Sequence, residues 1–231
     1  MRRLLIVAVV GLMFLVNSAP ASATILEFRQ GIDLWLSSSG KMDIGNVNLG
    51  WGRNLGFNAR DYDSLIKFTD MFGDDPSRIP LGSTIASATL YMWIGYEEGR
   101  TSYIYQMTSD WNALSTWYTI GSSGGIIPGV NAEAEPELLW TGTSNEWSQR
   151  SLDLTRSVQD WSNGEDQYGW GFTREKYSTV SAMSLDSSAS YRPYLVVDFA
   201  APVAVPEPSI GLLLGCSLAG FAGLRRKFRK N

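Results

Sequence analysis

The segment from Ile85 to Gly95 constrains the fold more than any other part of the chain. Apolar residues occupy every even position from Ala86 to Ile94, while the odd positions include Tyr91 and Trp93. A period of two residues places alternate side chains on opposite faces of a β-strand. We therefore predict a strand whose even residues face a core and whose odd residues face outward.

Further strands are predicted wherever short runs of β-branched, aromatic and other apolar residues lie between Gly, Ser, Asn and Asp. These segments are 25–28, 33–36, 64–68, 102–107, 137–140, 147–153, 168–172, 182–185 and 194–199. Many short strands with polar turns indicate an all-β fold, an antiparallel β-sandwich. One short helix is predicted over 153–161, where Leu154, Val158 and Trp161 recur at helical spacing, and 121–136 is predicted as a long loop.

The N-terminus has the order of features that is typical of a secretory signal peptide. Arg2 and Arg3 precede an apolar run from Leu4 to Val16, and small residues follow up to Ala23. We predict a signal peptide over 1–23 with cleavage after Ala23. The alternative is a buried N-terminal helix, but no polar face interrupts the run.

The C-terminus is predicted as a linker over 201–205 and an apolar tail over 206–231, with a membrane-spanning segment at 210–224. Fifteen residues of helix cover roughly 22 Å, which is less than the ~30 Å hydrocarbon core of a bilayer. A basic cluster closes the chain, and such clusters stay on the cytoplasmic side. The tail therefore suits a temporary anchor, and the middle of the chain is expected outside the cytoplasm.

The motif Pro206-Glu207-Pro208, the apolar segment and the basic residues that begin with Arg225 and Arg226 together resemble the PEP-CTERM sorting signal. The resemblance implies an exosortase, a membrane-embedded protease-transpeptidase, as the partner of the tail. It further implies export across the inner membrane of a Gram-negative bacterium, transient anchoring there, and a final place at the cell surface or in the extracellular matrix. The alternative is a single-pass anchor that is not cleaved.

Composition excludes several classes of site. The ends hold seven of the 19 Lys and Arg residues and one of the 23 acidic residues, so the middle carries a formal net charge of about −10. Such a domain is unsuited to nucleic acid, whose binding needs basic side chains. The chain has no histidine, and its single cysteine, Cys216, lies in the tail. Catalytic triads that need histidine, the commonest zinc ligand and disulfides in the middle are thereby excluded.

An ordered set of motifs over 24–200 resembles the DNRLRE domain, a jelly-roll sandwich of bacterial surface proteins that is similar to carbohydrate-binding modules. The motifs are Ser64-Leu65-Ile66-Lys67-Phe68, Ile79-Pro80-Leu81-Gly82, Thr108-Ser109-Asp110-Trp111, Leu152-Asp153-Leu154-Thr155, Tyr168-Gly169-Trp170-Gly171-Phe172 and Arg192-Pro193-Tyr194. The resemblance implies a jelly-roll topology and polysaccharide binding, with acidic polysaccharide as the ligand of some members of that family.

Aromatic faces and planar hydrogen-bond donors are the groups that bind sugars. Trp51, Arg53 and Asn54 lie in a Gly-rich segment that we predict to be an exposed loop, and Tyr91 and Trp93 lie on the outward side of their strand. These five residues form the predicted carbohydrate-binding patch. The alternative for any one Trp is the core, which is the expectation for four others: Trp111, Trp117, Trp161 and Trp170.

A structural Ca²⁺ is a further possibility for an acidic domain without disulfides. Glu27 and Asp198, near the two ends of the domain, are the predicted metal ligands, with Asp33 and Asp43 as further candidates. The alternative is that these carboxylates are solvated side chains on the surface.

The sequence thus predicts an exported, non-catalytic protein that binds extracellular polysaccharide. A structural surface or biofilm-matrix protein without a small ligand is the first alternative. A polysaccharide-cleaving enzyme is the second, because paired carboxylates can hydrolyse glycosides. The adjacent pairs Glu97-Glu98, Asp74-Asp75 and Glu165-Asp166 diverge in extended chain, so none of them marks such a site.

Overall fold

The computed structural model describes residues 23–39, 42–43, 47–54, 60–97, 99–120, 124–174 and 179–202. Residues 1–22 of the predicted signal peptide over 1–23, residues 203–205 of the predicted linker, and the tail over 206–231 with its apolar segment 210–224 lie outside the described residues. Residues Ala21–Pro202 form one compact unit. Within the described residues no helix is both long and apolar enough to cross a membrane.

The described chain is mostly β-structure with one helix. The strands are β1 (Ala23–Phe28), β2 (Gly31–Ser37), β3 (Met42–Asp43), β4 (Asn48–Asn54), β5 (Arg60–Phe68), β6 (Thr84–Gly95), β7 (Thr101–Gln106), β8 (Leu138–Thr141), β9 (Ser148–Asp153), β10 (Trp170–Arg174), β11 (Thr179–Met183) and β12 (Tyr194–Ala200). The helix α1 is Thr155–Ser162. Each of the ten predicted strands corresponds to one of these strands, and the predicted helix corresponds to α1.

The strands pack as an antiparallel sandwich. We call the strands β1, β12, β6, β9 and β11 layer A, and the strands β2, β5, β10, β7 and β8 layer B. Strand β4 pairs with β11 and with β5, so it joins the two layers in one hydrogen-bonded order, β1-β12-β6-β11-β4-β5-β10-β7-β8. Strand β9 pairs with the other side of β6, and β2 pairs with β5.

Strand β6 is the centre of layer A because it pairs on both sides. Tyr91 lies opposite Tyr194 of β12 on one side and opposite Ser151 of β9 on the other. The side chains of Ala88, Leu90, Met92 and Ile94 are fully buried. The prediction that even residues face the core is confirmed for these four positions.

The prediction is wrong for Ala86, which is exposed, while its neighbour Ile85 is buried. The reason is a β-bulge. Asp198 pairs with Ser87 and Phe199 pairs with Ile85, so Ala86 has no partner on β12 and the alternation shifts by one residue there.

The main core lies between the layers. It combines the even side chains of β6 with inward residues of layer B, among them Ile66, Phe68, Trp170 and Phe172. Trp170 contacts Trp161 of α1, with ring centroids 4.8 Å apart, and donates its indole N–H to the Oγ of Ser157 over 2.7 Å. The helix therefore closes one end of the core with its buried face.

A second core covers the outer face of layer B. Leu34, Leu65 and Tyr105 on that face pack against Trp111, Ile120 and Ile126, which belong to the segment between β7 and β8. The described part of the predicted loop, 124–136, is irregular as expected. The outer face of layer A has no such cover from the described segments.

The segment from Ser37 to Asn58 differs from the prediction, which placed no strand there. The structure contains β3 and β4 in this segment. In β4 Gly50 and Gly52 alternate with the buried Leu49 and Trp51, so only two apolar side chains mark the strand in the sequence. Pairing with β11 and β5 holds the strand despite this weak local pattern.

Truncating a buried leucine of β6 tests this packing. Leu90→Ala is expected to lower the free energy of unfolding by about 2–5 kcal/mol, because Leu90 is fully buried in the main core. Chemical denaturation of the full-length protein measures the loss. Leu139→Ala in β8 makes the same change at a side chain that is 53% exposed, and it should cost less than about 1 kcal/mol. Equal losses in the two variants would contradict the assigned core.

Candidate functional site: the aromatic outer face of layer A

Layer A carries six aromatic side chains on its outer face. We call Tyr91, Trp93, Tyr96, Trp147, Tyr191 and Tyr194 the aromatic face. Tyr91 and Trp93 are half-buried at odd positions of β6, as the alternation predicts. Tyr96, Trp147, Tyr191 and Tyr194 come from the ends of neighbouring strands and from loops, and the predicted patch did not include them.

One end of the aromatic face is a stack of flat groups. The rings of Tyr91 and Tyr194 lie parallel to within 15° with centroids 4.9 Å apart. The guanidinium carbon of Arg29 lies 4.4 Å from the ring centroid of Tyr194, and Arg29 is also paired with Glu27. Such stacking and cation–π contacts fix the rings upright, so this end of the face is rigid.

The middle of the aromatic face is a pair of perpendicular rings. Trp93 and Tyr191 meet at 83° with centroids 5.2 Å apart, and Tyr191 is 45% exposed. Tyr191 comes from the turn that precedes β12, where its backbone N–H bonds the carbonyl of Ser188 over 2.9 Å. The turn therefore sets the position of this ring beside the strand.

At the far end, Trp147 covers Gly95 of β6. A Cβ built on Gly95 would lie 2.9 Å from Cδ2 of the indole and 3.1 and 3.2 Å from the bonded neighbours Cε2 and Cγ. This pattern places the Cβ position above the ring plane, so the indole lies flat on the glycine. Tyr96 stands at 83° to Trp147, with centroids 6.0 Å apart, and is 54% exposed.

The segment that leads to Tyr191 is tied to layer B by the half-buried carboxylate of Asp33. Asp33 of β2 accepts a hydrogen bond from the backbone N–H of Leu185. Burial raises the pKa of Asp33 to about 6. The hydrogen bond from Leu185 and the charge of Arg192 oppose this rise, while the charge of Asp186 adds to it. The carboxylate thus anchors the start of the segment that leads from β11 to Tyr191.

A second carboxylate, which is buried, fixes the segment that covers layer B. Asp63 of β5 accepts the backbone N–H of Ile126 over 2.8 Å. Burial raises the pKa of Asp63 to about 7, while the bonds from Ile126 and Thr173 lower it and Asp61 raises it. Both carboxylates therefore hold loops on their layers, and both bind protons more tightly in the folded protein.

Trp51 of the predicted patch does not reach this face. Trp51 is fully buried, lies between Trp140 and Phe172 in the main core, and donates its indole N–H to Ser102 over 3.0 Å. The prediction that Trp51 is exposed in a loop is wrong, because its segment is the strand β4. Arg53 and Asn54 also belong to β4, where they pair with Asp61 and Arg60, and not to a loop.

The predicted core role of other Trp residues fits the structure. Trp111, Trp161 and Trp170 are fully buried, and Trp117 is half-buried against the second core. Trp111 donates its indole N–H to the carbonyl of Tyr168 over 2.6 Å. These rings leave no face to a ligand except at Trp117.

The predicted metal ligands are arranged as follows. Glu27 and Asp198 lie on adjacent strands, and Ile25, two residues before Glu27, is opposite Asp198. Asp33 lies on β2 with its carboxylate on Leu185, and Asp43 lies in β3. Within the described ranges, no three His, Cys, Asp or Glu side chains form a group that could hold a metal ion.

The adjacent carboxylates have separate surroundings. Glu97 is fully buried, pairs with Arg150, and accepts the indole N–H of Trp140 over 3.1 Å. Asp166 accepts the phenol of Tyr168 over 3.0 Å, and Glu165 accepts the amide of Gln106 over 3.3 Å. Each of these carboxylates therefore accepts hydrogen bonds from neighbouring side chains, which is a structural role.

An open cavity of about 310 Å³ lies away from the aromatic face, between the segment after β5 and the segment after α1. Asp70, Arg78, Leu81 and Glu165 are among its lining residues. Arg78 is paired with Asp70 over 2.8 Å, and Glu165 and Asp166 leave the lining of this cavity acidic.

One sequence signal pointed to Trp147, one of the four rings of the aromatic face that were not predicted. Gly95 stands at an outward position of β6, and a glycine inside a strand often marks the close approach of another group. In the described structure that group is the indole of Trp147, the residue just before β9, and β9 pairs with β6. The sorting residues Pro206, Glu207, Pro208, Arg225 and Arg226 lie outside the described residues.

The sequence matches no model of a protein family and no curated protein. The site is therefore interpreted from its own geometry.

The carboxylates of the half-buried Asp33 and the buried Asp63 predict the pH dependence of stability. Their pKa values are raised from an ordinary 3.8, so between pH 4 and 7 the folded protein binds more protons than the unfolded chain. The free energy of unfolding should therefore fall as pH rises through this window, by an amount on the order of 5 kcal/mol. Denaturation midpoints at several pH values, measured on the full-length protein, check this.

The double variant Asp33→Asn/Asp63→Asn should flatten that dependence. Asp75→Asn is the control, because hydrogen bonds from Ser77 lower the pKa of Asp75 and move its titration below the window. A stability that rises between pH 4 and 7, or a double variant with an unchanged slope, would contradict the assignment.

Proposed function

We propose that this protein is an exported, non-catalytic surface or matrix protein that binds extracellular polysaccharide through the aromatic face. The observation that carries the proposal is the exposure of several aromatic rings together on one sheet face that no described segment covers. A pyranose packs its C–H groups on such rings, and hydroxyl and amide groups bind its oxygens. Gln149 and Ser151, exposed beside Trp93 and Tyr91, supply these polar groups.

Rigidity supports the same function. Binding is weakened by the entropy lost when side chains become ordered, and rings that are already fixed avoid this cost. Here each outward ring is held by another ring or by Arg29. A sheet face is also a stiff support, because β6 is hydrogen-bonded on both sides.

The ends of the chain support the proposed location. The positive, apolar and small-residue order over 1–23 favours export. The tail over 206–231, with its resemblance to PEP-CTERM signals, favours an exosortase as processing partner and the inner membrane as a transient site. We place the mature domain at the surface of a Gram-negative bacterium or in its extracellular matrix.

The antiparallel sandwich is compatible with a jelly-roll topology and with the DNRLRE-type domain that the motifs resemble. Within that proposal, a structural Ca²⁺ remains a hypothesis for Glu27 and Asp198, which are diagonal neighbours on β1 and β12. Calcium would be a stabilising ion in this arrangement and would take no part in chemistry.

The second candidate is a structural matrix protein without a small ligand. Strand β1 favours it, because its pairing among the described strands is with β12 on one side and its side chain of Ile25 is 67% exposed. A strand edge of this kind can pair with another chain. Assembly of copies would then be the function, and the aromatic face would be a contact surface.

Binding to polysaccharides separates the two candidates. The full-length protein, purified in detergent, should be retarded in gels that contain at least one bacterial or plant polysaccharide from a panel. Trp93→Ala should weaken that retardation about tenfold or more, because it removes a central ring of the aromatic face. Thermal unfolding of each variant checks that the fold is kept.

Tyr118→Ala is the matched control. Tyr118 is 61% exposed, lies in the segment between β7 and β8, and donates its hydroxyl to the carbonyl of Ser38, away from layer A. Its loss should leave binding unchanged. Absence of binding to every polysaccharide would refute the proposed function and leave the structural candidate.

A further inference from the structure

Of the six rings in the aromatic face, Trp147 is the one whose indole lies flat on the sheet, and it is half-buried there. The faces of Tyr194 are occupied by Tyr91 and Arg29, and one face of Tyr91 is occupied by Tyr194. Trp147 lies with one face on Gly95, so its other face points away from the sheet. Because Gly95 has no Cβ, the indole can lie flat on the sheet and offer its other face to a sugar ring.

Tyr96 completes this corner of the face in a strained backbone conformation. Its φ is +59°, in the left-handed region that a bulky residue rarely adopts, at a cost of about 1–3 kcal/mol. The backbone N–H of Tyr96 bonds the carbonyl of Asn145, two residues before Trp147, over 3.2 Å. This conformation keeps an exposed phenol perpendicular to the indole, where its hydroxyl can bond a sugar hydroxyl.

The charged side chains near Tyr96 and Trp147 are unfavourable for an anionic ligand. Among the described residues of β6, β9, β11 and β12, the basic side chain is Arg150, which lies opposite Met92 on the core side and pairs with Glu97. Glu146, next to Trp147, is exposed. Arg29 is at the opposite end of the face and is paired with Glu27. Arg192, next to Tyr191, donates its guanidinium N–H groups to the carbonyl of Ser187 and lies near the carboxylate of Asp33. A carboxylated or sulfated sugar on Trp147 would therefore meet the negative charge of Glu146, and the basic side chain of these four strands is already paired.

We propose that Trp147, held flat on Gly95 and flanked by Tyr96, is the principal stacking residue, and that its ligand is an uncharged hexopyranose polymer bound without a metal ion. This inference rests on the proposed function and adds the ligand class and the residue that selects it. Gly95 is a positioning residue: any side chain there would lift the indole from the sheet.

The test compares an uncharged β-glucan with polygalacturonate, each with calcium and with a chelator. The full-length protein in detergent is assayed by affinity electrophoresis against both polymers. We expect binding to the β-glucan, no change on chelation, and little or no binding to polygalacturonate. Trp147→Ala should weaken binding about tenfold or more, and Trp147→Phe should retain part of it.

Gly95→Ala is the sharpest variant, because it removes no aromatic ring but places a Cβ 2.9 Å from the indole. It should weaken binding nearly as much as Trp147→Ala. Tyr118→Ala again serves as the control, and thermal unfolding reports whether each variant folds. If Gly95→Ala does not fold, the comparison of Trp147→Ala with Trp147→Phe still decides the role of the ring.

The failures are distinguishable. Binding to polygalacturonate alone, or only with calcium, would overturn the uncharged ligand class and leave the proposed function standing. Binding to the β-glucan that Trp147→Ala does not change would overturn the role of Trp147. Binding to no polysaccharide of the panel would overturn both this inference and the proposed function.

Discussion

The two-residue alternation of β6 is the constraint on which the rest of this structure depends. Leu90, Met92 and Ile94 fill the main core, while Tyr91 and Trp93 on the same strand face outward. A shift of one residue in the pairing would exchange these two sets, so burial of the apolar set fixes the register with β12 and β9. The position of the aromatic face therefore follows from the core.

The outer faces of the two layers differ in whether a described segment covers them. Layer B is covered by the segment between β7 and β8, which Asp63 and the fully buried Asn131 hold through hydrogen bonds to Ile126, Ile127, Ile120 and Gly125. Layer A is uncovered by the described segments and carries the half-exposed rings. An exposed aromatic surface lowers the solubility of a protein when no partner covers it. The acidic net charge of this domain raises the solubility again.

Strong local patterns allowed most of the fold to be predicted. The strand β6 and the helix α1 were clear because their apolar residues recur at fixed spacing, whereas β4 was missed because Gly50 and Gly52 leave only two apolar residues to mark it. The same error put Trp51 in a loop. Tyr91 and Trp93 could be found from alternation alone, but Trp147, Tyr191 and Tyr194 join them through long-range pairing and ring contacts that no local pattern encodes.

The central claim is that a polysaccharide contacts the outer rings of layer A and leaves the core rings undisturbed. The indole N–H resonances of the nine Trp residues, assigned by single replacements, test this in one titration with the β-glucan. The account predicts that the signals of Trp93 and Trp147 move while those of the buried Trp51, Trp111 and Trp170 do not. Movement of the buried set with Trp93 and Trp147 unchanged would contradict it.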